Sequence, residues 1–304
     1  MTAEKTYHIP VLLNECIQYL NIQPNGIYVD ATFGGGGHSR AILQHLSQHG
    51  KLFAFDQDKD AQQNIINDNR FTLIPSNFSF ITHWLNYYNI PQVNGILADL
   101  GVSMHHFNTP ERGFSYKYNA PLDMRMNQNQ TTTAAHVVNQ YSQQQLEKIF
   151  FEYSNLSNAK KLANLIVQYR FDKKIETTFD LINAVKPALP KVNDYPVLSQ
   201  IFQAIRIEVN KEIDHLKSFL NQTYSLLTQN GRLVILTYHS LEDKIVKHFM
   251  INGNTDISLR PDPIYGKINY PFRIITKKPI TPSDKEINQN PASRSAKLRC
   301  AEKI

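Results

Sequence analysis

Residues 27 to 46 read IYVDATFGGGGHSRAILQHL: an apolar run, four successive glycines, then apolar residues at three- and four-residue spacing. The run suits a buried strand and the spacing a helix, so the glycines fall between strand and helix and not at a surface hairpin. Backbone without Cβ atoms can pass close to a bound nucleotide or amino-acid moiety beside a helix N-terminus. A dinucleotide fingerprint needs a third glycine where the helix packs on the strand. Counting Gly34 and Gly36 as the first two puts Ser39 there, which weighs against a nicotinamide cofactor.

Downstream, the stretches 51–56 (KLFAFD), 71–75 (FTLIP) and 95–101 (GILADLG) read as further short strands with helical or polar segments between them. Such alternation predicts parallel βαβ units. After Gly101 the rhythm breaks. Residues 105–126 are punctuated by Pro and Gly, and helical patterns follow over 143–153, 158–170 and 179–188. From Val197 to Leu227 apolar residues recur at three- and four-residue steps, predicting one long or two abutting helices ended by Asn230-Gly231. The strand pattern resumes at 232–238 (RLVILTY) and 273–277 (RIITK). The expected fold is therefore α/β, a Rossmann-like sheet that the chain leaves for a helical insertion and then rejoins.

A chain of 304 residues with 41% hydrophobic and 19% charged residues has the composition of an ordinary soluble protein. No apolar run approaches the roughly 20 residues that cross a bilayer. Neither a signal peptide nor an anchor is visible, so a cytoplasmic location is expected, without membrane association. Cys16 and Cys300 fit neither a disulfide framework nor a zinc spacing, and no clustered metal site is expected. The net charge of +6 is localised: residues 267–304 carry nine Lys or Arg, from Lys267 to Lys303, against three acids. Such a segment suits a phosphate backbone, and equally a solvated basic tail.

Three strand ends supply candidate chemistry. Asp56 closes the second strand, where its carboxylate would meet the hydroxyls of a ribose bound at the glycine loop. Phe78, after the third strand, could flank an adenine, although a lone aromatic is more often core. Asp99 ends the fourth strand, where open α/β sheets present reactive groups. It could accept an N–H from a base amine or bind a cofactor's amino group. After the fifth strand come His239, a candidate catalytic group, and Ser240, expected to cap the following helix. No hydrolase elbow or P-loop lysine motif is present.

The segments HIPVLLNE (8–15), DATFGGGGHS (30–39), DLGVS (99–103), RGFS (112–115), PLDMRM (121–126), FQAIRIEVN (202–210), HSLED (239–243) and SRSAKLR (293–299) together resemble the bacterial small-subunit ribosomal RNA cytosine-N4 methyltransferases, in that family's order and over nearly the whole chain. The resemblance implies a class I methyltransferase sheet with an inserted all-helical domain. It implies S-adenosyl-L-methionine as donor and, as acceptor, a decoding-centre cytidine of 16S rRNA within the small ribosomal subunit. Cofactor contacts then fall on Gly36, Gly37, His38, Asp56, Phe78 and Asp99. Two departures stand out: a further cofactor contact, at the family's Gln position, falls on His106, and Ser154-Asn155-Leu156 replaces the family's Gly-Glu-Glu segment.

The matched segments place a cofactor domain at 1–106 and 210–304 and a helical substrate-recognition domain at 107–209. Substrate contacts are expected from Arg112, Phe114, Asp123, Arg125, Arg294 and Lys297, with Tyr116, Lys117 and Tyr118 suited to stacking and phosphate contact. Asp123 and Arg125 equally suit an ion pair within their domain. The sequence leaves room for a homodimer. Two rival readings are a nicotinamide-dependent oxidoreductase and a non-catalytic RNA-binding protein that keeps the pocket.

Overall fold

The computed structural model describes residues 10–258 and 272–304. His8, Ile9 and Lys267 therefore lie outside the described residues. In chain order the elements are α1 (Leu13–Leu20), β1 (Ile27–Asp30), α2 (Gly37–His45), β2 (Lys51–Phe55), β3 (Phe71–Ile74), α3 (Ile81–Tyr87), β4 (Val93–Asp99), α4 (Met104–Asn108), α5 (Ala134–Gln140) and α6 (Gln143–Ser154). They continue with α7 (Ala159–Asp172), α8 (Thr178–Val185), α9 (Tyr195–Asn210), α10 (Glu212–Leu226), β5 (Leu227–Thr237), α11 (Ser240–Asn252), β6 (Phe272–Ile274), α12 (Asp284–Gln289) and β7 (Lys297–Lys303). Two compact units result: Met1–Gly101 with Asp214–Ile304, and Val102–Ile213. Their bounds lie a few residues outside the 107–209 expected for the insertion.

The first unit is built on a sheet of order β3-β2-β1-β4-β5-β7-β6. β1 to β5 run parallel, and β7 is antiparallel to both β5 and β6. In β4, Ile96, Leu97 and Ala98 are all buried on successive positions, as a parallel strand covered on both faces requires. One face packs α1 and α2, through Cys16, Leu20, Ile42 and Leu43, on Tyr28, Leu52, Leu97 and Val234. Strand order reverses between β1 and β4, which opens a crevice at the strands' carboxyl ends.

Two sequence expectations need correction here. Asn230 and Gly231 do not end a helix; they lie inside β5, which follows α10 directly. The C-terminal basic segment is not a free tail, because its last part is β7, with Leu298 to Glu302 all buried. Part of its charge is answered within the unit. Arg299 makes a two-pronged bond to Asp243 at 2.6 and 3.1 Å, and Lys297 lies 3.7 Å from the same carboxylate. Glu302 sits between Arg232, at 2.7 Å, and Arg273. Of the two substrate contacts expected here, Lys297 is thus ion-paired and half-buried, while Arg294 is exposed.

The second unit is helical. Leu146, Ile149 and Phe150 of α6 pack with Leu162 and Ile166 of α7, Leu181 and Val185 of α8, and Ile201 and Ile205 of α9. Reciprocal capping boxes start α6 (Ser142 with Gln145) and α8 (Thr177 with Asp180), which explains where these helices begin. Lys211 in the left-handed region, φ 50°, divides the 197–227 pattern into α9 and α10. The buried Asn210 accepts from Met126 N–H at 2.7 Å and donates to Met124 O at 2.8 Å, fixing the 121–126 loop.

Candidate active site

The carboxyl ends of β1, β2 and β4 each carry an aspartate: Asp30, Asp56 and Asp99. Asp30 is a structural acid. It is buried, accepts Ser39 Oγ at 2.7 Å and Thr32 N–H at 3.1 Å, and so ties β1 to the glycine loop and α2. Burial holds its carboxyl above the ordinary range.

The four glycines divide by role. A Cβ on Gly36, whose φ is +75°, would stand 2.5 Å from Arg40 Nη1 and 2.9 Å from Phe33 Cε2. One on Gly37 would stand 2.5 Å from Pro10 Cγ. Both positions are therefore closed by the protein's own packing. Gly34, φ +51°, differs: a Cβ there would meet nothing within 4 Å. Its carbonyl is held by Asn64 Nδ2 at 3.0 Å, and Gly35 O by Arg40 Nη1 at 3.0 Å, so the loop presents a fixed, open stretch of backbone. Arg40 and Asn64, which hold this loop, carried no motif that would single them out.

Asp56 accepts Gly34 N–H at 2.8 Å through Oδ2 and Asp58 N–H at 2.8 Å through Oδ1. A carboxylate offers about four acceptor positions, so each oxygen keeps one for a hydroxyl. Burial pushes this carboxyl up to about 6, against the lowering effect of those two amides. Phe78 is half-buried, with its ring edge-on to Phe219 at 5.1 Å.

Asp99 is held from two sides. Its amide donates to Thr32 Oγ1 at 2.6 Å, and its Oδ1 accepts Tyr238 O–H at 2.7 Å. Its Oδ2 stands 3.9 Å from Nδ1 of the buried His38, whose Nε2 lies 3.1 Å from Val11 O. Tyr238 stays a proton donor, because burial and then Asp99's charge push its hydroxyl well up. Sequence reasoning passed over Tyr238 because nothing local marks it; its partner is 139 positions away. Cys16 and Cys300 are buried and free, with their thiols pushed up by burial, Cys300 to about 11.

His239, not Ser240, caps α11: its Nδ1 receives Glu242 N–H at 3.4 Å, and Glu242 Oε2 accepts Tyr238 N–H at 2.9 Å. Ser240 is the helix's first residue. His239 Nε2 stands 3.1 Å from Glu242 Oε1, so both ring nitrogens face the same short turn.

The remaining expected residues lie in the helical unit. His106 is buried in α4, its ring stacked on Phe114 at 4.7 Å. Arg112 and Phe114 are buried, and Arg112 donates to the carbonyls of Arg125 (2.9 Å) and Met126 (3.2 Å). Asp123 and Arg125 form a two-pronged pair at 2.7 and 2.8 Å. Arg125 also donates to the carbonyls of Gln128 and Gln130, so its donors serve its own loop.

A parallel sheet that reverses order between β1 and β4, carries an open glycine loop there with an acid at the next strand's end, and closes on an antiparallel β7, is a class I methyltransferase sheet. The family model described as the MraW methylase family matches residues 5–304, and the chain belongs to that family. Its methyl donor is S-adenosyl-L-methionine, which removes the nicotinamide alternative. A Bacteroides fragilis protein named ribosomal RNA small subunit methyltransferase H is 50% identical over 300 residues, covering 99% of this chain and 98% of its own. A Flavobacterium johnsoniae protein of the same name is 51% identical over 304 residues, covering all of both chains.

The cleft fits that donor. Gly34 offers the space a Cβ would fill, and Asp56 keeps unused acceptor positions beside it.

Proposed function

We propose that this protein methylates the N4 amine of a decoding-centre cytidine in the 16S rRNA of the small ribosomal subunit. The observation that carries the reading is the full-length likeness to proteins named small-subunit rRNA methyltransferases, joined to a cleft whose acceptors suit a donor nucleoside and an amine. The sheet unit holds the donor, and the helical unit recognises RNA, in the cytoplasm where subunits are built.

When bound, S-adenosyl-L-methionine supplies an electrophilic sulfonium methyl. Gly34 backbone would border the donor, Asp56 would take its ribose hydroxyls and Phe78 would flank its adenine. An exocyclic base amine is a weak nucleophile, since its lone pair is delocalised into the ring, so orientation at about 3 Å is the main requirement. With Tyr238 holding Oδ1, Asp99 turns Oδ2 to the amine N–H or to the donor's ammonium. His239 is occupied in capping α11, which makes Asp99 the stronger candidate for the departing proton.

The test uses tritiated donor with small subunits from a strain lacking the gene, followed by nucleoside digestion. Label in N4-methylcytidine is expected. Label in another nucleoside, or none in the rRNA, refutes the reading.

A further inference from the structure

We propose that, in the helical unit, the loop of residues 115–120 and the first turn of α9 form a stacking surface for an unpaired RNA strand. Tyr118 and Tyr195 supply the ring faces and Lys117 a phosphate contact. The proposal rests on rRNA being the substrate, and it locates a part of the protein that grips it.

Tyr118 is 50% exposed and Tyr195 62%, yet neither sits on a loose segment. Tyr116 roots the loop: its ring lies 6.2 Å from Tyr195 and 5.6 Å from Phe202, and its hydroxyl lies 3.1 Å from Ser199 Oγ. Thr178 pins the other end, its hydroxyl donating to Tyr118 O at 2.5 Å and its amide to Ala120 O at 2.9 Å. Exposed rings held by fixed backbone lose little freedom on stacking, and stacking accepts any base because every base has a π-face.

Net positive charge sets this surface apart from the exposed rings of Phe171, Tyr87 and Tyr88. The segment 115–120 carries the exposed Lys117 and no acid, and 186–194, leading into α9, carries Lys186 and Lys191 against the single acid Asp194. Phe171 is more exposed, at 92%, but Asp172, Glu176 and Asp180 balance Arg170, Lys173 and Lys174 around it in the sequence, leaving no net charge for phosphate. Tyr87, the last residue of α3, and Tyr88, which follows it, have no Lys or Arg on that helix. Ring faces beside net positive charge suit single-stranded nucleic acid.

The experiment measures binding of a fluorescein-labelled single-stranded oligoribonucleotide to the full chain by anisotropy. Tyr118→Ala and Tyr195→Ala are each expected to weaken binding by about fivefold to a hundredfold, while Tyr118→Phe and Tyr195→Phe, which keep the ring face, stay near wild type. Lys117→Glu, a change at an exposed position, should weaken binding, and Lys117→Ala should reduce the salt slope by about 0.7. Unchanged affinity in both Tyr→Ala variants, with wild-type melting curves, overturns the proposal. So does equal loss in the Phe variants, which would place the effect in the hydroxyls and not in stacking. Methylation of subunits by the wild-type protein tests the substrate reading separately: an inactive wild type refutes that reading, and variants of an active protein that keep their RNA affinity refute this surface.

Discussion

Asp56 gives the sharpest test of the cleft, because its protonation state and its contacts both bear on donor binding. Burial raises its carboxyl to about 6, so the folded protein holds this proton more tightly than the unfolded chain does. Asp56 accepts the Gly34 and Asp58 amides, and on the proposed reading it is the ionised form that would also accept two ribose hydroxyls. At pH 7 about nine-tenths of the carboxyls are ionised and at pH 5 about one-tenth. Since apparent Kd is the intrinsic value divided by the competent fraction, affinity for S-adenosyl-L-methionine should fall about tenfold between those values. The donor's own carboxylate and ammonium keep their charges over that range. Asp56→Asn removes the titration, so its profile should be flat, and it loses one charge-assisted bond of about 1.5–3 kcal/mol, roughly 10- to 150-fold in Kd at pH 7. Calorimetry across pH 5–7.5 measures both effects. A wild-type profile as flat as the variant's, or a variant that binds like wild type at pH 7, would refute the placement of the ribose at Asp56.

Three further outcomes follow from the geometry. Gly34→Ala, at an open left-handed position, should cost about 1–2 kcal/mol of stability from its φ yet abolish detectable donor binding, whereas Gly37→Ala, driven against Pro10, should show mainly a lowered melting temperature; reversed behaviour would misassign the cradle. Asp99→Ala should abolish turnover, and Tyr238→Phe, which frees Oδ1, should lower kcat about tenfold with donor Kd unchanged, as single-turnover methylation and calorimetry together can establish. Asp243→Ala strands the buried guanidinium of Arg299 and should destabilise the fold by about 3–5 kcal/mol in urea unfolding, and a loss under 1 kcal/mol would show that the pair is not what holds β7 to α11.

The cleft was legible because its signals are local. Asp30, the glycines and Asp56 belong to one strand–loop–helix–strand passage, and the residue types needed there, no Cβ and then an acid at a strand end, are written consecutively. What the chain assembles across distance was not legible. KLRCAEK reads as a charged tail until Asp243, Arg232 and Arg273 are set against it, and a linear count of nine cations records none of those partners. Tyr238 was hidden in the same way, since its value lies in a carboxylate on a neighbouring strand. His239 shows the opposite error. A serine next to a helix start is the commoner cap, but the backbone turn fell one residue earlier and the imidazole took the role. That shift matters for chemistry, because a histidine whose Nδ1 accepts the Glu242 amide has that nitrogen committed to the helix start. The acid expected to orient the amine is instead supported by a tyrosine that remains protonated. On the proposed reading, orientation of the amine therefore falls to Asp99, and Asp99→Ala should cost more turnover at saturating donor than His239→Ala does.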